Sequence, residues 1–300
     1  MVSYTKTNDS VAVLTHNGAR VEKTGGRPML HDFSYVAPTA VDELFTFLAT
    51  HGTKTAVFSG GTDLFVNIRG GLSAPDYVVN LKSVPGLSDL SFDPKAGLSI
   101  GACVPVTRVL NDPTVNKKYG VIAKAAGELA THQLRNRATV VGNIVTASPC
   151  GDMSSPLLCY DAQVEIASAG GSRIVALKEF ITGVKRTVLQ PEEIVTRIIV
   201  PTTYAGTKGN YLKLKRIKGH DLGVVAVAMI ATSKVIRVAI SSAAPTPVLL
   251  PDFPASASAE TIKESARKAI SPIDDVRCTK EYRAFMVEEF IDRLHAEVKA

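Results

Sequence analysis

Residues 133–152 read QLRNRATVVGNIVTASPCGD. Gly142 lets the backbone come close to a bound group. Around it, Thr139, Asn143, Thr146, Ser148 and Asp152 offer short side chains that donate or accept hydrogen bonds. This combination suits the phosphate, ribityl and ribose oxygens of a nucleotide, and a carboxylate such as Asp152 can accept from ribose hydroxyls. The composition predicts an extended loop over 132–152. A Gly/Ser/Thr-rich surface loop without a ligand is the plain alternative, but loops of this length are usually functional.

The next informative stretch lies about seventy residues upstream, FSGGTDL at 58–64. A short apolar strand is expected at 55–58 and a helical run at 63–68. The adjacent glycines Gly60 and Gly61 permit positive φ and a close backbone approach. The helix start beyond them leaves N–H groups free, so loop and helix together suit a pyrophosphate. Thr62 can cap that helix or bind a phosphate oxygen. The text matches neither G-x-G-x-x-G nor G-x-x-x-x-G-K-[ST], so neither a Rossmann site nor a P-loop follows. Turn chemistry alone also accounts for it as a tight turn before a capped helix.

Working outward, the patterns predict α+β organisation. A helix is expected at 41–49, with Asp42 and Glu43 suiting its first-turn dipole, and a strand at 77–81. With the strand at 55–58 they make a β–α–β-like unit. Strands follow at 98–100, 163–167, 173–175 and 194–200, with helices at 117–131 and 153–160. After Pro201 come strands at 209–216, 222–232 and 234–241, then helices at 259–270 and 280–298. Three hundred residues fit two or three packed domains. The boundaries read as 31–90, 91–203 and 204–300, preceded by an N-terminal extension, 1–30, patterned only at 11–14 and 19–22.

Composition narrows the function classes. Hydrophobic residues make up 45% and charged residues 21%, as in ordinary soluble proteins. The apolar run 222–230 is too short and too rich in Gly and Ala to span a bilayer, and the N-terminal text lacks a secretory pattern, so a cytoplasmic protein is expected. The net charge of +6 fits an anionic ligand or an acidic partner. The basic residues are dispersed, Trp is absent, and no aromatics interleave the basic cluster at Lys213, Lys215, Arg216 and Lys218, which argues against nucleic-acid binding. Of the four cysteines, Cys103, Cys150, Cys159 and Cys278, none forms a C-x-x-C pair, so they read as reduced, mostly buried thiols and not as metal ligands. Any iron–sulfur cluster then belongs to another chain. His132 and His220 carry no accompanying carboxylate or metal pattern and read as ordinary histidines. Arg135 and Arg137 fit a phosphate, a partner or a structural role equally.

SGGTDL followed by QLRNRATVVGNIVTASPCGD resembles the FAD-binding subunit of the xanthine dehydrogenase and carbon monoxide dehydrogenase family. Members carry text close to AGGTDL and IRNxGTIGGNxxxASPxxD. The resemblance continues in EEIVTRIIVP, YLKLKRIKGHDLGVVAVA, residues 236–250 and RCTKEYRAFMVEEFIDRL, and spans about 31–297. It implies an α+β architecture, the two-part FAD-binding fold of the vanillyl-alcohol-oxidase type followed by a smaller α+β C-terminal domain. It implies that Val57, Phe58, Ser59, Gly60, Gly61, Thr62, Asp63 and Leu64, with Thr139, Val140, Val141, Gly142 and Asn143, hold the FAD pyrophosphate. Thr146, Ser148 and Asp152 would bind ribityl or ribose groups, and Ile194 and Lys213 would contact the flavin. A positive charge at Lys213 would favour the anionic reduced flavin.

The same resemblance implies an electron-transfer subunit without catalytic or metal-binding residues of its own. Electrons would arrive from a [2Fe–2S] subunit and leave to an acceptor such as NAD or a quinone, while a large subunit would hold the molybdenum–pterin cofactor. Val141 departs from the family text, which has a glycine there; a β-branched residue disfavours positive φ. The alternatives are a free-standing FAD-dependent oxidase or reductase, and a scaffold subunit without FAD, which Val141 alone supports.

Overall fold

The computed structural model describes residues 31–300 and, ahead of them, the backbone of two short strands, β1 (Ser3–Thr5) and β2 (Val13–Thr15). Strand β2 overlaps the pattern at 11–14; that at 19–22 lies outside the described residues.

The first sheet joins these strands to β3 (Ser34–Val36), β4 (Thr55–Phe58) and β5 (Tyr77–Asn80) in the order β1-β2-β3-β5-β4. Strands β3 and β4 both run parallel to β5. Parallel neighbours need crossovers. Helix α1 (Val41–His51) and helix α2 (Leu64–Arg69) provide them. The Glu43 carboxylate accepts from the Thr39 N–H at 2.9 Å, which fixes the start of α1, and α1 buries Leu44 and Leu48, one helical turn apart. The loop 59–63 therefore sits at the carboxyl end of β4, where ligands commonly bind in parallel sheets.

The second sheet is antiparallel, in the order β6-β7-β12-β8-β9. It begins with β6 (Leu90–Asp93) and β7 (Gly97–Gly101). A run of short helices follows: α3 (Val106–Asn111), α4 (Pro113–Lys118), α5 (Gly120–Glu128), α6 (His132–Arg135), α7 (Val140–Val145) and α8 (Ser154–Cys159). The chain returns through β8 (Gln163–Ser168), β9 (Gly171–Ala176), α9 (Leu177–Phe180), the hairpin β10 (Ile181–Gly183) and β11 (Arg186–Thr187), and β12 (Ile194–Val200).

Two expectations fail here. The helix expected at 117–131 breaks at Tyr119 (φ −135°, ψ 45°), because its buried hydroxyl reaches back to the carbonyls of Val200 and Pro201, each 3.2 Å away. Asp112 caps α4 by accepting from the Val115 N–H at 2.9 Å. The stretch 132–152 is not an extended loop. Thr131 caps α6 and Thr139 caps α7, accepting from Leu134 N–H at 3.2 Å and Gly142 N–H at 2.9 Å. Helices this short show no full period of apolar residues, so periodicity misses them.

The third sheet contains β13 (Lys208–Leu214), β14 (Val225–Ala231), β15 (Val235–Ser241) and β16 (Val248–Leu249), with β17 (Phe253–Pro254) also pairing on β15. Helices α10 (Ala259–Ala269) and α11 (Lys280–Lys299) follow. The run 222–230 is apolar because β14 is buried on both faces. Val225, Val227 and Met229 join Ile262, Val287, Phe290 and Ile291 of α10 and α11. Ala226, Ala228 and Ile230 face the core that holds α5 and α8. The small Ala226 and Ala228 let those helices approach, which brings the end of α5 over β13.

Candidate functional site

A cleft of about 660 Å³ opens where elements of the three sheets meet. All but three of the predicted contact residues line it: Val57, Ser59, Gly60, Gly61, Thr62, Asp63, Leu64, Thr139, Val141, Gly142, Asn143, Thr146, Ser148, Asp152 and Ile194. Phe58, Val140 and Lys213 do not line it. Phe58 packs edge-on to Phe65 at 5.0 Å, and Val140 is wholly buried. Lys213 lies behind Asp152.

The two glycine-bearing loops interlock. Ser59 Oγ and Thr139 Oγ1 are 3.1 Å apart. A Cβ on Gly60 would sit 2.4 Å from the Arg137 carbonyl oxygen, and Gly61 has φ +74°. Both glycines thus serve the packing of the loops themselves. Gly142 gives Thr139 its room, since a Cβ there would come within 2.8 Å of Thr139 Oγ1. The N–H groups of Gly60, Gly61, Thr62 and Val141 have no acceptor among the described residues, whereas Val140 is taken up by the bridge between Pro105 and Thr139. Backbone donors on two loops are therefore available to one anionic group.

Val141 lies in the first turn of α7, in helical backbone, with its side chain buried. The position does not require positive φ, so valine fits it without distortion. The departure at Val141 therefore no longer counts in favour of a chain without FAD.

Below Asp152 the cleft has an ionic floor. Lys213 Nζ lies 2.8 Å from both Asp152 carboxylate oxygens and 3.2 Å from the Glu128 carbonyl at the end of α5. Its side chain is 1% exposed, so this lysine is not solvated and its charge is matched by Asp152. Tyr211 donates to Asp152 Oδ1 at 3.0 Å. Burial raises the Asp152 pKa, against the lowering effect of the Lys213 charge and the hydrogen bonds from Lys213 and Tyr211. Burial also pushes the Tyr211 phenol well up.

Other residues hold the walls. The Arg135 guanidinium donates to the carbonyls of Gly127, Leu129 and Ala130 at 3.1, 2.9 and 3.1 Å, closing the end of α5. Of the roles open to it, Arg135 has the structural one. Asn143 Oδ1 accepts from the Met153 N–H at 3.2 Å. Asp63 pairs with exposed Lys185 of the β10–β11 turn at 3.3 Å. Nearby, Asp275 receives Arg277 and Arg283, and Arg277 donates to Cys150 Sγ and the Gly223 carbonyl, both at 2.8 Å. Sequence reasoning missed Cys150, Lys185, His220 and Leu222 as cleft residues. Cys150 and the pair His220 and Leu222 stand inside stretches already singled out, but neither they nor Lys185 have a side chain whose type points to a nucleotide.

Residues 31–203 match the family model described as the FAD binding domain in molybdopterin dehydrogenase. The chain belongs to this family. It is an oxidoreductase of the molybdenum hydroxylase group, and its cofactor is FAD. This FAD subunit is 28% identical to the nicotine 6-hydroxylase medium subunit of Paenarthrobacter nicotinovorans, over 89% of this chain and 97% of that one. It is 26% identical to the carbon monoxide dehydrogenase medium chain of Hydrogenophaga pseudoflava, over 87% and 95%. The structure of the latter enzyme lacking its Mo-pyranopterin moiety aligns with TM-score 0.82 at 25% identity, covering 90% of this chain and 98% of that one. The quinoline 2-oxidoreductase of Pseudomonas putida 86 shares the fold, with TM-score 0.81 at 24% identity, over 91% and 99%. The α+β FAD-binding fold expected from the sequence is thus the fold present.

The FAD subunit's own geometry fits its cofactor. The free N–H groups of the two loops match a pyrophosphate, and a buried carboxylate at the cleft wall matches a sugar hydroxyl. Apolar Leu129, Ile194 and Leu222 provide surface for an aromatic ring.

Proposed function

We propose that this chain is the electron-transfer subunit of a molybdenum hydroxylase complex, working beside a [2Fe–2S] small subunit and a molybdopterin large subunit. The observation that carries the reading is the cleft, where two interlocked loops offer free backbone donors at one end and Asp152 stands further along. When bound, FAD supplies the exchange of electrons between the iron–sulfur centre and an acceptor such as NAD or a quinone. The chain's residues bind and orient it. The N–H groups of Gly60, Gly61, Thr62 and Val141 donate to the pyrophosphate, with Ser59, Thr62, Thr139 and Asn143 beside them. Thr146, Ser148 and Asp152 take ribityl or ribose hydroxyls. Ile194 packs on the ring, and Lys213 acts through Asp152. The units 31–90, 91–203 and 204–300 together bring these residues to one cleft.

The test is a gently purified native sample. It is expected to contain one smaller chain rich in C-x-x-C text and one much larger chain in equal stoichiometry, with flavin that bleaches on addition of the hydroxylase substrate. A monomer or homodimer that turns over a small substrate unaided refutes the subunit reading and establishes a free-standing flavoenzyme.

A further inference from the structure

Tyr211 is wholly buried, lies outside the cleft lining, and directs its hydroxyl at Asp152 Oδ1. Asp152 lines the cleft with a small exposed fraction, so its inner acceptor positions face Tyr211 and Lys213 while part of it remains open to the cleft. We propose that Tyr211 is a positioning residue that holds Asp152 in place and ionised, so that Asp152 can accept a hydrogen bond from a hydroxyl of FAD. The proposal rests on the reading of Asp152 as a FAD contact.

The charges around Asp152 can be followed individually. From β13 come the Lys213 ammonium and the Tyr211 hydroxyl, both favouring the carboxylate. From α5 comes Glu128, which disfavours it and is itself held by Lys215 at 2.9 Å. Burial, the largest influence, drives Asp152 toward its neutral form. Removing the phenol leaves one supporting partner fewer against that burial. A protonated Asp152 is a weaker acceptor, so the binding that depends on it is present above its pKa and lost as pH falls through it. Burial places that loss above the ordinary carboxylate range, and Tyr211→Phe moves it higher still.

The full chain, freed of FAD and titrated with FAD between about pH 8.5 and 5, tests this directly. Tyr211→Phe keeps the ring and the packing. Its loss of affinity is expected to begin about one pH unit higher than in the wild type, with Kd raised about tenfold within that window. An unchanged midpoint reduces Tyr211 to packing and overturns the proposal. If Tyr211→Phe does not fold, 3-fluorotyrosine placed at position 211, a stronger donor, is expected to move the midpoint down; an unmoved midpoint again overturns it. Asp152→Asn combined with Lys213→Met removes both charges and separates the two readings. FAD binding that is weakened and has lost this pH step supports Asp152 as a contact, whereas wild-type affinity and pH dependence refute the contact and the proposal together.

Discussion

The two ends of the cleft hold a ligand by different physics. The interlocked loops around Gly60 and Gly142 work through backbone: small residues, close approach and N–H groups left without partners. The floor around Asp152 works through buried charge, with one carboxylate against one ammonium and one phenol. At the loops, adding atoms does the damage. At the floor, removing a partner does, because the remaining charge stays buried and unmatched. A single cleft therefore carries two kinds of sensitivity, one steric and one electrostatic.

The largest effect is expected at the floor. Lys213→Met leaves Asp152 buried and uncompensated and is expected to lower stability by about 3–5 kcal/mol in urea unfolding. Adding Asp152→Asn is expected to recover much of that loss. If single and double variants unfold alike, the two charges are not coupled and the contrast fails.

Next is Gly60→Val. Its Cβ meets the Arg137 carbonyl, so the loops must separate, at about 1–3 kcal/mol and with most of the FAD absorbance per chain lost. Full flavin retention would remove the steric half of the comparison. Val141→Gly is expected to cost about 2 kcal/mol, through lost burial and a glycine within a helical turn, without raising FAD content. A rise in FAD content would mean that the family's glycine serves the ligand at this position. Thr139→Ala, which removes the cap on α7 and the contact with Ser59, is expected to cost about 1 kcal/mol. Its thermal unfolding sharpens how much of the loop junction lies in that one hydroxyl.

Most of the strands were legible because alternation and β-branched runs survive in short segments, as at 194–200 and 235–241. The helices at the C-terminus were equally plain. The break at Tyr119 was not, since it depends on carbonyls some eighty residues away. Nor were α6 and α7, whose caps resemble the polar residues of a loop. The site residues were legible as text in the two loops, but their reasons were only partly so. Gly60 reads as room for a ligand and proves also to be room for Arg137. Lys213 sits in an alternating strand with Lys215 and Arg216, and nothing local marks it as the buried member.

By itself the sequence determined the fold class, the two loops and the family resemblance, because those are carried by residue types at short spacing. Only the tertiary structure decided which groups share an environment. The helical backbone at Val141 follows from the Thr139 cap, the matched charge of Lys213 from Asp152 on a loop some sixty residues upstream, and the place of Cys150 and Leu222 at the cleft from Arg277, which bridges to Cys150 and Gly223. The physical reason is common to all three. Burial and electrostatics depend on distances between segments far apart in the chain, and those distances arise only when the sheets pack together.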